Sequence, residues 1–362
     1  MKRKNHQRYG ESAHILTRPK LHAIIRKLVP EEKILFGKKV LDIQQDANGV
    51  RVSCGDNSDY SGDVLIGADG AYSSVRQAMY KKLHDEGRVP ADDMSDPPFN
   101  TLCLVGVTEP LPAGSFEYIE GESRSEAMVY SGHPYVSMFF SNFDGSVSWM
   151  VLQHAGSFTT RSEERLRNSE WEPNDCEPMI EQVRDLPSPF GNTLGVYIDK
   201  TPREGISRVM LEEKLYRTWH HGRIALLGDA CHKLFPSAGQ GAMCAMLDAV
   251  VLANVLQACP TTSVEDIERC LGEYRDERFP HGEIAYNTSH RVGEFFKKTF
   301  WSDILRFIIG FLPRSILTHQ LDKLSQFRPQ ASFLPFVPPT GIAMPLPQKT
   351  YDHLKTSVLA EL

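Results

Sequence analysis

Residues 222–258 read GRIALLGDACHKLFPSAGQGAMCAMLDAVVLANVLQA, and this stretch decides the fold. Arg223–Asp229 is a short apolar run of the kind that makes a buried strand, and it ends in Gly228-Asp229. A loop of about ten residues follows, carrying Pro236 and Gly239-Gln240-Gly241, and an Ala-rich helix runs from about Ala242 to Gln257. A carboxylate at the carboxyl end of a parallel strand stands where open α/β sheets bind ligands. Gly239 and Gly241 let backbone approach a ligand with no side chain in the way. The helix start offers free N–H groups and the positive end of a dipole, which suits an anionic or electron-rich group. Ala242, Ala245, Ala249 and Ala253 allow the helix to pack closely. The same residues also read as a glycine-rich turn into an amphipathic helix with an ordinary strand-end Asp. No Gly-Lys-Ser/Thr follows, so this is not a Walker A loop. Gly239-Gln240-Gly241 continues as Ala-Met-Cys after a long turn, so it is not a plain dinucleotide fingerprint either.

Upstream, Asp63–Ala68 is a second short buried run, and it leads into Asp69-Gly70. Ser73 follows as a helix cap and Arg76 lies one turn further on, an arrangement consistent with anion binding or with a plain capped turn. Residues 33–69 read as a β-meander feeding that buried strand, with Asp46-Ala47-Asn48-Gly49 as a hairpin turn. From Leu21 the spacing of Leu21, Ile24, Ile25, Leu28 and Val29 predicts an amphipathic helix, and Pro19 suits its first turn. Residues 77–98 are polar with three prolines, a linker or surface excursion. Strand-like segments then dominate to residue 153: Thr101–Val107, Ala127–Tyr130, Tyr135–Ser141 and Ser146–Gln153, with Asp144-Gly145 as the strongest hairpin signal. They predict an antiparallel sheet in a second domain, in which Tyr130, Tyr135, Phe139, Phe140 and Trp149 divide between core and pocket wall. Residues 161–190 read as helical and exposed, 264–300 as helical, and the tail from Pro329 as a proline-rich surface run.

Composition narrows the class. The chain has 362 residues, with 40 Lys+Arg against 46 Asp+Glu and a net charge of −6, which argues against a nucleic-acid footprint. The 7 cysteines (54, 103, 176, 231, 244, 259 and 270) are odd in number and form no CxxC. Neither a disulfide framework nor a cysteine zinc site is expected, and a reducing, cytoplasmic setting fits. MKRKNHQRYG is basic, but no apolar stretch follows it as a secretory leader requires. No run reaches about 18 apolar residues, so no spanning helix is expected. Ile304–Leu312 reads as a core helix, with a peripheral membrane-surface contact as the alternative. His220, His221 and His232 gather no further ligand type, so no metal site is expected, while His232 is a candidate for contact with a cofactor or substrate. Cys231 and Cys244 read as packing residues.

Gly228-Asp229-Ala230-Cys231-His232, Pro236, Gly239-Gln240-Gly241 and Asp248-Ala249 together resemble the GD motif of the class A flavoprotein monooxygenases. These are aromatic-hydroxylase-like FAD enzymes with many fungal secondary-metabolite members. The resemblance implies that Asp229 binds the ribityl chain of FAD. It implies that Gly239, Gly241 and Ala242 lie against the isoalloxazine ring, where the helix dipole steadies negative charge on the reduced flavin. Gly67–Arg76 resembles the family's DG motif, which places Asp69, Gly70, Ser73 and Arg76 on the pyrophosphate side and in NAD(P)H use. Arg18-Pro19-Lys20-Leu21 resembles the Arg-x-x-Leu helix start whose Arg touches FAD. Glu273-Tyr274 with Arg278, and Arg328-Pro329-Gln330, are similar to the fungal clade. The likeness runs over roughly residues 10–350.

In that family a βαβ unit with GxGxxG and an acidic residue comes first, and this sequence carries neither. The expected fold is therefore α/β (α+β): an incomplete FAD-binding three-layer ββα-type domain over 1–80 and 200–300, an inserted antiparallel-sheet substrate domain over 81–199, and a C-terminal helix with a proline-rich tail over 301–362. Lacking a strand and the helix start that receives the pyrophosphate, the chain is expected to hold FAD weakly and to dissolve poorly. The implied activity is an FAD- and NAD(P)H-dependent monooxygenase that hydroxylates or epoxidises an apolar or aromatic metabolite with O2. The alternatives are an inert remnant or binding scaffold, and a flavin oxidase or reductase. The motifs assign no catalytic side chain. Asp69 and Asp229 are expected to end neighbouring parallel strands and to face one cleft.

Overall fold

The structure, a computed structural model, describes residues 8–10, 15–97, 99–112, 123–154, 176–236, 239–296, 322 and 325–356. It is a mixed α/β chain that divides into two compact units. One comprises residues 1–34, 99–212 and 295–307, and the other 35–98, 213–294 and 308–362. The first boundary therefore falls at 98/99 and the second at 212/213, later than the expected 80/81 and 199/200. Ser207–Glu212 shifts the second boundary, because it pairs with Phe99–Val107 as an edge of the antiparallel sheet.

That sheet has five strands in the order Ser125–Val129, Tyr135–Ser141, Val147–His154, Phe99–Val107, Ser207–Glu212. The Asp144-Gly145 turn closes its central hairpin. Gly145 takes φ +81°, and the Asp144 carboxylate accepts the Ser146 N–H at 3.1 Å. Beneath the sheet pack the helices Glu177–Val183 and Leu194–Asp199, through Met179, Ile180, Val183, Leu194 and Tyr197. The Phe139 ring meets Tyr197 edge-on at 4.9 Å. The segment expected to be helical and exposed is helical over Glu177–Val183 and buries one face, Met179, Ile180 and Val183, while Glu177, Glu181 and Gln182 stay exposed; residues 161–175 lie outside the described residues. Tyr130, Tyr135, Phe139 and Trp149 are all core, and of the five aromatics only Phe140 is half-buried. Arg18–Arg26 belongs to this unit, with Lys20 paired to Asp144. Its apolar stripe forms as the spacing predicts, yet Ile24, Ile25 and Leu28 face outward, since nothing among the described residues covers them.

The other unit begins with the meander Val40–Gln45, Val50–Cys54, Asp59–Gly62, turning where expected with the Asp46 carboxylate accepting from the N–H groups of Asn48 and Gly49. Leu65–Gly67 and Ile224–Leu226 then pair in parallel, Leu65 beside Ile224 and Gly67 beside Leu226, with His220-His221 antiparallel at the edge. A two-residue ribbon joins Lys214-Leu215 to His232-Lys233. Arg223 is 1% exposed and ties these sheets together. Its guanidinium donates to the carbonyls of Asp46, Ala47, Asp63 and Thr262, while Gln45 accepts its backbone N–H.

Helices Ser74–Asp85, Gly241–Ala258 and Val264–Phe296 pack over these strands around Met79, Trp219, Leu226, Val251, Leu271 and Tyr274. By length and composition Gly241–Ala258 is apolar enough to cross a membrane, although Asp248 and Asn254 interrupt the apolar run. Both of these side chains are buried and bonded to protein, which makes it a core helix. Asn254 also anchors the tail, donating to the Gln330 carbonyl and accepting from Ser332 N–H. Beyond that anchor the tail runs over the surface with Phe336, Val337 and Ile342 exposed, but its end returns to the core, where Tyr351 and Leu354 are buried, which corrects the expected surface run from Pro329. Ile304–Leu312 lies outside the described residues.

Candidate functional site

The parallel pairing sets the site. Leu227 N–H donates to Gly67 O at 3.0 Å, so both strands end at the same edge, and Asp69 and Asp229 follow them there. Gly67 is required by packing: a Cβ on it would lie 2.8 Å from the Cβ and Cγ1 of Val75 and 3.0 Å from Leu226 Cδ2. Gly70 follows at φ +84°, the left-handed region that glycine adopts without strain.

The two carboxylates are used differently. Asp69 caps the next helix, its Oδ2 accepting from Ser74 Oγ at 3.1 Å and from Val75 N–H at 3.2 Å. Ser73 joins it, accepting Arg76 N–H at 2.9 Å. Asp229 stands on a single 3-10 turn, Gly228–Ala230. Its side chain is 39% exposed, and Oδ2 pairs with Lys233 Nζ at 3.0 Å.

Arg76 does not project from the surface as an anion hook. It is 7% exposed and bridges the two loops from below, donating to the Ala230 carbonyl at 2.8 Å and the Ala71 carbonyl at 2.6 Å. Its guanidinium also stacks on the Tyr216 ring at 4.2 Å. Its guanidinium thereby ties the loop after Gly70 to the turn that carries Asp229 through two backbone carbonyls.

Behind the loop lies a buried ionic cluster. Asp248 is 0% exposed and accepts from Gly228 N–H at 3.0 Å and Arg278 Nε at 2.7 Å, with His232 Nε2 at 2.6 Å. Burial pushes the Asp248 carboxyl upward, but His232 and Arg278 outweigh it and hold the group below the usual carboxylate range. His232, for which contact with a ligand was one candidate role, is also 0% exposed, packs on Trp219 and bonds Asp248. Cys231, His232 and Asp248 bring their ligand atoms within 4.8 Å of one another. The carboxylate is already satisfied by three donors, and burial pushes the Cys231 thiol well up, so the group reads as a packed ion cluster and not as a metal cage. The sequence named these residues inside motifs but gave no sign that they converge. Lys233 went unnoticed, although its i,i+4 spacing from Asp229 was a usable signal.

Above the cluster the chain opens. Gly239 takes φ +63°, and a Cβ on Gly239 or on Gly241 would meet no atom within 4 Å. The 18-residue helix Gly241–Ala258 starts with Gln240 giving no side-chain cap bond and with no acidic residue in the first turn. Ala242 and Met243 are exposed there. The site thus offers two carboxylates, Asp69 and Asp229, each with an Oδ1 that bonds nothing among the described residues, a glycine loop where an added Cβ would meet no atom within 4 Å, and the positive end of a long helix. That donor and acceptor set fits a flavin, with hydroxyls for the acceptor and an electron-rich ring for the helix end. Arg18 opens its helix in the sheet unit and is exposed.

Comparison with known proteins bears on this geometry. Residues 17–289 match the profile of the FAD binding domain family. The chain is 31% identical over 300 residues to the FAD-dependent monooxygenase paxM of Penicillium paxilli, covering 80% of this chain and 60% of that protein. It is 30% identical over 314 residues to the FAD-dependent monooxygenase andE of Emericella variicolor, covering 84% and 63%. The chain therefore spans less than two thirds of these relatives' length. Klebsiella pneumoniae HpxO complexed with FAD and uric acid superposes with a TM-score of 0.62 at 21% identity, over 86% of this chain and 72% of that one. A salicylate hydroxylase substrate complex gives 0.55 at 21%, over 77% and 66%. These two likenesses show the fold.

Proposed function

The chain belongs to the FAD binding domain family, and from that premise we propose that it serves an FAD-dependent monooxygenase acting on an apolar or aromatic small molecule of fungal secondary metabolism. The observation that carries this reading is the pair of parallel strands ending together at Asp69 and Asp229, beside an open glycine loop and an uncapped helix start. The names of the relatives support the reaction class.

In this reading Asp229 Oδ1 accepts a hydrogen bond from the ribityl chain. Gly239, Gly241 and the backbone N–H groups of Ala242 and Met243 border the ring, and the helix end stabilises negative charge on it. Asp69 and Gly70 shape the neighbouring loop, and Arg76 fixes the spacing between the two loops. Arg18 is assigned to the cofactor by resemblance alone. The bound flavin, reduced by NAD(P)H, supplies the oxygen chemistry with O2; the protein holds the ring, orients the substrate and excludes water. The antiparallel-sheet unit is assigned to the substrate side. The free cysteines fit a reducing, cytoplasmic setting.

The test is direct. The purified protein is incubated with FAD, desalted and scanned for a flavin band. NADPH is then oxidised under labelled O2 with an apolar aromatic substrate panel. A sub-stoichiometric flavin band that rises with added FAD, with label in the product, is expected. A colourless protein overturns the reading in favour of a binding remnant. A coloured protein that reduces O2 without labelling any product overturns the monooxygenase assignment in favour of an oxidase.

A further inference from the structure

Lys233 occupies an awkward position. It stands on the two-residue ribbon, and the register sets it directly opposite Lys214. Like charges opposed across a ladder repel. Lys214 escapes inward: it is 6% exposed, and its ammonium donates to the Ser95 carbonyl and hydroxyl. Lys233 instead turns to Asp229 Oδ2 at 3.0 Å, with 27% of its side chain exposed. Asp229 Oδ1 then has no partner among the described residues. The pair sits on the loop that begins where the parallel strand ends, in line with the open glycine segment.

We infer that Lys233 is a positioning residue for the cofactor: by holding Oδ2 it fixes the rotation of the Asp229 carboxylate, presents Oδ1 as the acceptor for a ribityl hydroxyl, and cancels a negative charge that a cofactor with an anionic diphosphate would meet. This rests on the role given to Asp229 above. A half-exposed pair of this kind adds little to stability, so its removal acts on the ligand and leaves the fold intact. The neutralising part of the role is electrostatic and is screened by salt.

The experiment titrates FAD into the wild type, Lys233→Met, Lys233→Arg, Asp229→Asn and the Asp229→Asn/Lys233→Met double variant, following flavin fluorescence at low and high salt, with thermal melts alongside. Lys233→Met should weaken binding about 3- to 10-fold at low salt, and the deficit should shrink at high salt. Lys233→Arg should restore affinity to within about two-fold. In the Asp229→Asn background, Lys233→Met should cost clearly less than in the wild type, because the carboxylate that Lys233 orients is gone. Lys233→Met binding FAD like the wild type overturns the inference, as does an equal loss in the Asp229→Asn background. A wild type with no saturable FAD binding instead removes the role of Asp229 itself, and the inference with it.

Discussion

Replacing Asp248 with Asn should cost the molecule more than any other single change in or near the site. The side chain is 0% exposed and so is Arg278, whose Nε lies 2.7 Å from Oδ1. The second oxygen serves Gly228 N–H and His232. An amide keeps the shape but loses the charge, and its NH2 group must face a donor. Breaking a buried pair by removing one partner costs about 3–5 kcal/mol, because the other charge stays buried without compensation. For a domain of about 150–250 residues, each kcal/mol moves Tm by about 2–4 °C, so the fall should be roughly 6–20 °C.

A thermal melt followed by circular dichroism reads this. Pairing Asp248→Asn with Arg278→Met should recover most of the loss, since no buried charge is then orphaned. The sign with pH follows from a carboxyl held below its unfolded value. Its contribution is fully present above the unfolded pKa of about 3.9 and fades as pH falls through the lower folded value, so Asp248→Asn should flatten the acid limb of the stability curve below about pH 4. A single variant melting within about 2 °C of the wild type would refute the buried-pair argument.

Four further outcomes follow from the packing. Asp229→Asn should leave Tm within about 2 °C while weakening FAD binding by about one decade or more, which separates ligand from scaffold when set beside Asp248→Asn. Gly241→Ala should leave the ligand-free protein unchanged or up to about 1 kcal/mol more stable in a denaturant melt, because the space is open and the backbone is helical, yet it should lower flavin affinity if the ring approaches there. Gly67→Ala should cost about 1–3 kcal/mol by the same melt, since its methyl meets Val75 and Leu226 at 3.0 Å or less. Arg76→Met should destabilise by about 2–4 kcal/mol through the lost carbonyl bonds at Ala71 and Ala230, and limited proteolysis should then cut the Gly228–Lys233 loop faster.

What could be read from the sequence was whatever local chemistry decides. The hairpin turns at Asp46 and Asp144 depend on an Asx side chain bonding its own neighbours and, at Gly145, on a left-handed glycine, so they were visible in four residues. The parallel strands were visible because both runs are short, apolar and end in an acid beside a glycine. Pairings set by distant residues were not visible. The stripe on Arg18–Arg26 has the right period, but periodicity does not say what covers a stripe, and Ile24 and Leu28 remain exposed. Glu177–Val183 shows the reverse case, with Met179, Ile180 and Val183 buried against the sheet. The acceptors of Arg76 were hidden for the same reason. A guanidinium one turn into a helix is donor-rich in any sequence, and only the fold reveals that its acceptors are two backbone carbonyls.

The two acids that end the parallel strands look alike in sequence, each beside a glycine; in both the described bonds fall on Oδ2, and the structure separates them by what that oxygen holds. Asp69 spends Oδ2 on its own helix, bonding Ser74 and Val75, and it is anchored by local geometry that would exist with no ligand near. Asp229 has no helix to cap, because Gly228–Ala230 is a single turn and the long helix begins only at Gly241. Its partner among the described residues is a lysine whose side chain is 27% exposed, and its Oδ1, like that of Asp69, bonds nothing described. A buried acceptor cluster placed directly beneath, with Asp248 taking Gly228 N–H, holds that turn fixed. Rigidity from below and a free acceptor above are what a ligand contact needs, since the loop then loses little freedom on binding. Between the two acids, therefore, Asp69 is held by the helix it caps, whereas Asp229 is held by Lys233 on a turn that Asp248 fixes.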